Sequence, residues 1–200
     1  RYYRYEYQLA EKIFTLACRY SSTGTENFPD GDGFSSSGEL NERQKKAVEL
    51  ALRRALVIVS GGPGTGKTSI VVAIIAAHLE AIGPSTRVAL AAPTGKAAAR
   101  LGQSVQDSLS KMVPLEKIFQ KVPETAQTLH RLLGVRRNSP RFYHDRNNPL
   151  PWDLVVVDEA SMVDLALMSK LVDALHPEAR LVLLGDKDQL ASVESGAVLA

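Results

Sequence analysis

The spacing of hydrophobic positions divides the chain into three stretches. Residues 2–20 carry apolar or aromatic side chains at close to helical spacing, which predicts a helix. Residues 21–38 are rich in Ser, Gly and Asp and show no period, which is typical of a linker or loop. From residue 39 onward, short apolar runs alternate with helical patterns. We therefore expect a helical segment over 1–20, a flexible linker over 21–38 and one folded domain over 39–200.

The alternation after residue 39 predicts an α/β fold. Its strands lack polar alternation, so we expect a mostly parallel sheet with helices on both faces. Such sheets bind ligands at the carboxyl ends of their strands. A first helical stripe covers residues 40–52, with Asn41 in position to cap it. The predicted strands are 55–60, 87–93, 154–160 and 179–186, and the helices between them are 68–82, 95–112 and 164–175.

A glycine-rich loop joins the first predicted strand to the next helix. Residues 61–68 fit the pattern G-x-x-x-x-G-K-[ST], in which glycines let the backbone curl around an anion. Successive N–H groups and the start of the helix then attract phosphate. We expect the Lys67 ammonium at the β- and γ-phosphates and the Thr68 hydroxyl on Mg²⁺. The predicted nucleotide contacts are Gly61, Gly62, Pro63, Gly64, Thr65, Gly66, Lys67, Thr68 and Ser69.

Acidic residues follow the apolar run 154–157. Asp158 at this position can hold Mg²⁺ directly or through water. Glu159 is placed to orient and deprotonate an attacking water, which favours hydrolysis over mere sensing of the nucleotide. After the fourth strand, "GDKDQL" places Asp186 and Gln189 where a terminal phosphate should lie. We expect Gln189 to hydrogen-bond that phosphate and to act with Glu159 and Lys67 in catalysis.

Composition adds two constraints. The chain has 200 residues, of which 44% are hydrophobic and 23% are charged, and its net charge is only +2. Between residues 111 and 146, however, eight basic residues face three acidic ones, which gives 8 − 3 = +5. That stretch is either a solvated surface or a contact for a nucleic-acid backbone. The apolar runs are too short to span a membrane, so we expect no membrane partner.

The ends and the cysteine content complete this picture. No secretory leader is visible, and the chain begins without methionine and stops in mid-pattern, so we expect a piece of a longer protein. Cys18 is the single cysteine, which fits a reducing compartment, and we expect it to be a packing residue.

Further motifs carry a specific resemblance. "GGPGTGKT", "APTGKAAARL", "TLHRLLG", "VVVDEASM" and "LGDKDQLASVESGAVL" occur in this order. Together they resemble the first motor domain of superfamily 1 DNA helicases, and most closely the RecD-like group, which includes the alpha subunit of exodeoxyribonuclease V. The resemblance covers residues 40–200 and implies a RecA-like P-loop NTPase domain.

The resemblance implies roles for further residues. Gln44 matches the glutamine that reads the adenine edge, which implies ATP as the nucleotide, with Mg²⁺. Two motifs imply contacts to single-stranded DNA, and for three of their residues a structural role is the alternative. Thr94 could be a helix cap, Arg100 a solvated helix charge and His130 a buried histidine. The implied DNA contacts are Pro93, Thr94, Lys96, Arg100, Thr128 and His130.

The function implied by the resemblance is ATP-driven translocation on single-stranded DNA, in the 5′ to 3′ direction, in the bacterial cytoplasm. The implied partners are the helicase-nuclease and scaffold subunits of exodeoxyribonuclease V. In this family a second motor domain supplies an arginine to the γ-phosphate, and its motifs would lie beyond residue 200. We therefore expect the chain alone to be weakly active. A stand-alone RecD-like helicase, a nucleotide-dependent switch or assembly ATPase, and a small-molecule kinase remain as alternatives.

Overall fold

The computed structural model describes residues 2–19, 40–62, 64–83, 85–110, 122–123, 125–137, 139 and 141–186. The predicted linker over 21–38 lies outside these residues, so the division of the chain at residues 20 and 38 stays a prediction. Helices and strands alternate from residue 42 onward. The helices are α1 (Tyr2–Cys18), α2 (Glu42–Arg53), α3 (Lys67–Ala81), α4 (Gly95–Leu109), α5 (Leu129–Leu133) and α6 (Leu165–Ala174). The strands are β1 (Leu56–Ser60), β2 (Val88–Ala92), β3 (Gln127–Thr128), β4 (Leu154–Val157) and β5 (Arg180–Gly185).

The five strands form one parallel sheet in the order β1-β5-β4-β2-β3. The expected α/β fold with a parallel sheet is therefore confirmed. The four predicted strands are present, with their ends shifted by up to three residues. Strand β3 was not predicted from the sequence; it has only two residues, Gln127 and Thr128, which pair with Ala91 and Ala92 of β2. All carboxyl ends of a parallel sheet lie at one edge, and that edge carries the functional candidates.

Side chains alternate between the two faces of the sheet and build two separate cores. In β4, Leu154 and Val156 belong to the core shared with α2, α3 and α4, whereas Val155 and Val157 face the core of α1, α5 and α6. β5 repeats the pattern, with Val182 and Leu184 on the first face and Leu181 and Leu183 on the second. Both faces are covered, which explains why the strands show no polar alternation.

α3 is the helix that the loop of glycines leads into, and it is apolar on all sides. Its residues from Ile70 to Leu79 are all buried, because α2 and α4 pack on either side of it. His78 lies inside this helix with its Nδ1 2.8 Å from the Ile74 carbonyl oxygen. Burial lowers the pKa of His78 to about 4. The buried ring is therefore neutral at neutral pH.

α1 packs against α6 and does not stand apart from the sheet domain. Leu9 and Leu16 are buried in the second core, and Lys12 forms an ion pair with Asp173. Cys18 is exposed at the end of α1, so the expected packing role for this cysteine is wrong. Among the described residues, every helix is too short or too polar to span a lipid bilayer.

Candidate functional site: a cavity at the carboxyl edge of the sheet

The glycine-rich loop leaves β1 at Ser60 and enters α3 at Lys67. Gly64 and Gly66 have φ values of 76° and 80°, a left-handed conformation that glycine adopts without steric cost. A Cβ atom on Gly61 would lie 2.7 Å from the Thr65 Oγ1 atom, so the Thr65 side chain would have to move to admit a larger residue here. The Gly61 N–H donates to the Gly185 carbonyl, which fixes the loop to the end of β5. Glycine is therefore favoured by conformation at two positions and by the position of Thr65 at a third.

Lys67 and Thr68 open α3 at the end of this loop, and both are half-buried. The Lys67 ammonium donates to the carbonyl oxygens of Gly61 and Gly62, the second at 3.2 Å. The lysine is thus held inside the curl of the loop. A phosphate bound there would replace these two carbonyls as the acceptor of the hydrogen bonds that the Lys67 ammonium donates.

Asp158 and Glu159 follow β4 at the same edge of the sheet. The Asp158 N–H donates to the Ala91 carbonyl, which continues the pairing of β4 with β2. Glu159 then takes a left-handed conformation with φ 52° and ψ 37°, the one non-glycine residue with positive φ among those described. Its N–H donates to the Asp158 carboxylate at 2.8 Å. The backbone reverses at this point and enters the short 3-10 helix Ala160–Met162.

The end of β5 lies beside the loop as well. Asp186 is buried, and its carboxylate is close to Gly62, where an added Cβ would lie 3.8 Å from Asp186 Oδ2. Asp186 thus lies beside the glycine-rich loop (residues 61–66, called the phosphate loop below), and its expected position at a terminal phosphate stays a prediction. Gln189 and Pro63 lie outside the described residues, so their predicted roles stay predictions.

These elements enclose one cavity of about 350 Å³. The phosphate loop, the acidic turn after β4, the end of β5 and one face of α4 all contribute to its lining. The structure thereby brings together Lys67, Thr68, Asp158 and Glu159, which the sequence analysis had placed in one site. The lining residues are Gly64, Gly66, Lys67, Thr68, Ala97, Arg100, Leu101, Ser104, Asp158, Glu159, Gly185 and Asp186.

The oxygen groups of the cavity suit Mg²⁺. The Thr68 hydroxyl and the Asp158 carboxylate line the same cavity and are hard oxygen ligands. Magnesium is commonly held by one or two protein ligands, with phosphates and water completing its shell. Within the described residues, no group of three or more His, Cys, Asp or Glu side chains could hold a metal by itself. The donor set therefore fits a metal that arrives with a phosphate ligand.

Gln44 lies beside the phosphate loop and is not among the residues that line the cavity. Its Oε1 accepts from the Asn41 N–H, while the Asn41 side chain accepts from the Gln44 N–H, so the two residues form a capping box at the start of α2. The Gln44 Nε2 donates to the Thr65 carbonyl at 3.2 Å. The predicted cap at Asn41 is confirmed, and the amide of Gln44 ties α2 to the phosphate loop.

The two motifs assigned to DNA lie next to each other at this edge. β2 and β3 are paired, with Ala92 opposite Thr128, so Pro93 and Thr94 lie beside Thr128. Thr94 caps α4 by accepting from the Ala97 N–H, and Thr128 caps α5 by accepting from the Arg131 N–H, both at 3.2 Å. Thr94 therefore is a helix cap, and its contact to DNA stays a prediction.

Of the remaining candidates for DNA contact, Lys96 and His130 lie outside the cavity lining, whereas Arg100 is part of it. Lys96 is exposed in the first turn of α4. His130 is exposed too, with its ring edge against Phe142 at a centroid distance of 5.8 Å, so the alternative of a buried histidine is wrong. Arg100 lines the cavity together with Lys67. This location of Arg100 was not predicted from the sequence, although the spacing from Ala97 to Arg100 indicates that both share one helix face.

The fold and this site define a class. A parallel sheet, a glycine loop leading into a helix and acidic residues at the neighbouring strand end are the features of a P-loop NTPase domain. A sequence profile of the AAA domain family matches residues 44–195. The chain belongs to that family.

Known proteins similar to this chain support the expected resemblance to RecD-like helicases. "RecBCD enzyme subunit RecD" of Mycolicibacterium smegmatis is 45% identical over 205 residues, which covers 100% of this chain and 36% of that protein. "ATP-dependent RecD2 DNA helicase" of Deinococcus radiodurans is 37% identical over 196 residues, with 98% and 24% covered. The chain thus spans about a third or less of these relatives.

A solved structure supports the fold alone. The crystal structure of T4 UvsW aligns with a TM-score of 0.52 at 13% identity and covers 88% of this chain and 34% of that one. The sequence similarity therefore identifies the chain as a RecD-like segment, and the structural similarity is consistent with its RecA-like fold.

Proposed function

We propose that this chain is the ATP-binding part of a RecD-like DNA helicase motor, which couples ATP hydrolysis to 5′ to 3′ translocation on single-stranded DNA. The observation that carries the proposal is the convergence of Lys67, Thr68, Asp158 and Glu159 on one cavity. The relatives named as RecD and RecD2 support the helicase class. Because they come from bacteria, where DNA lies in the cytoplasm, a cytoplasmic location is part of the proposal.

Each side chain has a distinct task in the proposed reaction. The Lys67 ammonium and the loop N–H groups bind the β- and γ-phosphates of ATP, and Gln44 reads adenine from beside the loop. Thr68 and Asp158 hold Mg²⁺, which would neutralise charge that develops on the phosphates. Glu159, which has a left-handed backbone conformation and lines the cavity, accepts a proton from the attacking water. Gln189 completes the catalytic set by bonding the terminal phosphate.

The DNA strand is proposed to run along the edge where β2 and β3 end. Pro93, Thr94, Lys96, Thr128 and His130 provide hydroxyl, ammonium and ring groups there, which suit phosphate and sugar contacts that do not read the base sequence. The exposed arginines between residues 136 and 146 extend this basic surface.

The chain alone is proposed to hydrolyse ATP slowly. In related motors a second domain supplies an arginine to the γ-phosphate, and such a residue contributes about 10³–10⁵-fold in rate. The proposed partners of the whole protein are a helicase-nuclease subunit and a scaffold subunit, because relatives are named as subunits of a RecBCD enzyme. A stand-alone helicase is the second candidate, and the RecD2 relative favours it.

Titration with oligo-dT at several salt concentrations tests the proposal. Contacts to a few phosphates predict that log K falls with log salt by about 0.7 per phosphate. Lys96→Gln should reduce the size of this slope by about 0.7, the value for one phosphate contact. Lys46→Gln removes one charge from the exposed face of α2 and serves as the control. Saturable ATP binding without any affinity for oligo-dT would instead support a nucleotide-dependent switch or a small-molecule kinase.

A further inference from the structure

Arg100 is a second cation in the cavity, across from the phosphate loop. α4 places it there by helical spacing, because Ala97, Arg100, Leu101 and Ser104 lie on one face of the helix and line the same cavity. Lys67 contributes the other positive charge from α3. Among the described residues, these are the two cations of the lining, and they face the three carboxylates Asp158, Glu159 and Asp186. 

The Arg100 guanidinium has no protein partner within the described ranges. It takes part in no hydrogen bond and no ion pair there, in contrast to Lys67, whose ammonium donates to two loop carbonyls. A guanidinium carries five N–H donors in a planar fork. These donors are available to a ligand that enters the cavity.

The chemistry of the cavity decides which ligand group this is. A guanidinium binds phosphate through two parallel hydrogen bonds, a geometry that no single ammonium can provide. Gln44, the candidate for adenine, contacts Thr65 and lies outside the cavity lining, so the cavity corresponds to the phosphate end of the nucleotide. Glu159, the candidate for the attacking water, shares the cavity with Arg100. The reacting phosphate is therefore expected in the same cavity.

We propose that Arg100 binds the γ-phosphate of ATP from α4 and is a nucleotide-binding residue, not a DNA contact. This inference rests on the proposed function, because it assumes ATP in the cavity. It gives this chain an arginine of its own at the phosphate end, in addition to any that a second domain supplies. It also separates Arg100 from Thr94 and Lys96, which begin the same helix outside the cavity lining.

The test compares ATP with ADP on the 200-residue chain. A fluorescent ATP analogue is displaced by unlabelled ATP or ADP, with wild type, Arg100→Gln, Arg100→Lys and the charge-matched control Lys46→Gln. Loss of a charged hydrogen-bond pair predicts that Arg100→Gln weakens ATP by about 10-fold or more, while ADP affinity stays unchanged. Arg100→Lys keeps the charge without the planar fork of donors, so its ATP affinity should lie between those of the wild type and Arg100→Gln. Arg100 is exposed, and thermal melting checks that each variant is folded.

Other outcomes overturn the inference in distinguishable ways. Equal loss of ATP and ADP affinity in Arg100→Gln would show that Arg100 does not bind the γ-phosphate specifically. Wild-type affinities for both nucleotides in Arg100→Gln, together with loss of both in Lys67→Ala, would refute the role of Arg100 and leave the nucleotide site intact. Loss of oligo-dT binding alone in Arg100→Gln would show that Arg100 contacts DNA instead. No saturable ATP binding by the wild type would reject the proposed function itself.

Discussion

The left-handed conformation of Glu159 predicts an unusual effect of glycine on stability. For an L-residue this conformation costs about 1–2 kcal/mol, because Cβ crowds the following carbonyl oxygen. Glycine adopts it without that cost but loses about 0.5–1 kcal/mol through greater freedom of the unfolded chain. We therefore expect Glu159→Gly to be more stable than Glu159→Ala by about 1 kcal/mol. Both variants lack the carboxylate, so their difference isolates the backbone.

Thermal unfolding and urea titration measure this difference. For a chain of this size, about 1 kcal/mol corresponds to a Tm difference of roughly 2–4 °C. Met162 provides the matched comparison, because it is exposed in the following 3-10 helix and its φ is not positive. At Met162 the order should reverse, with alanine more stable than glycine by about 0.5–1 kcal/mol.

The strained backbone at Glu159 also bears on the proposed function of this residue. If the turn exists to aim the Glu159 carboxylate at the cavity, Glu159→Gly should lose ATP hydrolysis while it gains stability over Glu159→Ala. Glu159→Gln keeps both the side-chain length and the strained backbone, and it should be as inactive as the glycine variant. Equal stability of the alanine and glycine variants, or the same order at Glu159 and Met162, would refute the argument from strain.

Three further predictions follow from local geometry. Gly66→Ala should lower stability by about 1–2 kcal/mol and weaken ATP binding, because the new Cβ would lie 2.7 Å from Gln44 Nε2 at a φ of 80°, whereas Gly95→Ala, with nothing within 4 Å, should not destabilise in the same urea titration. The unfolding free energy should fall by about 2 kcal/mol from pH 7 to pH 5, because the fold lowers the pKa of His78 to about 4 and the unfolded chain takes up the proton first. His78→Gln should lack this fall, and its persistence in that variant would contradict the assignment of the pH dependence to His78. Thr94→Ala should lose about 1 kcal/mol as an N-cap, and Thr94→Ser should retain the cap, so weaker oligo-dT binding in the serine variant would indicate a contact of the threonine methyl group.

Local signals explain why most of the fold could be predicted. Uninterrupted apolar runs such as 154–157 have one structural interpretation when helices lie between them, and the glycine loop fixes where β1 ends. β3 could not be found in this way. Gln127 and Thr128 are polar, and the strand that they form has only these two residues. It exists because they pair with the edge of β2. That pairing is a property of the assembled sheet.

The site was predictable in its members and less so in its geometry. The motif spacing placed Lys67 and Asp158 at one edge of the sheet, because parallel strands end together. It did not predict the left-handed turn at Glu159, since glutamate has no preference for that conformation. For Gln44, adenine recognition was expected from the resemblance, and the structure adds a contact to Thr65 that the sequence did not indicate.

Helix α4 connects the two halves of the proposed function. It begins at the proposed DNA edge with Thr94 as its cap, and Arg100 in the cavity lining follows about 1.7 turns later, about 9 Å along the axis at 1.5 Å per residue. Between them, Ala97 and Ala98 are buried, so the helix cannot bend away from the sheet without opening its core. A DNA strand that displaces the start of α4 must therefore also displace Arg100. Because coupling between two binding sites is reciprocal, nucleotide binding at Arg100 should change the affinity for DNA by the same factor. In the proposed motor, α4 would thus connect the nucleotide cavity directly with the proposed DNA edge.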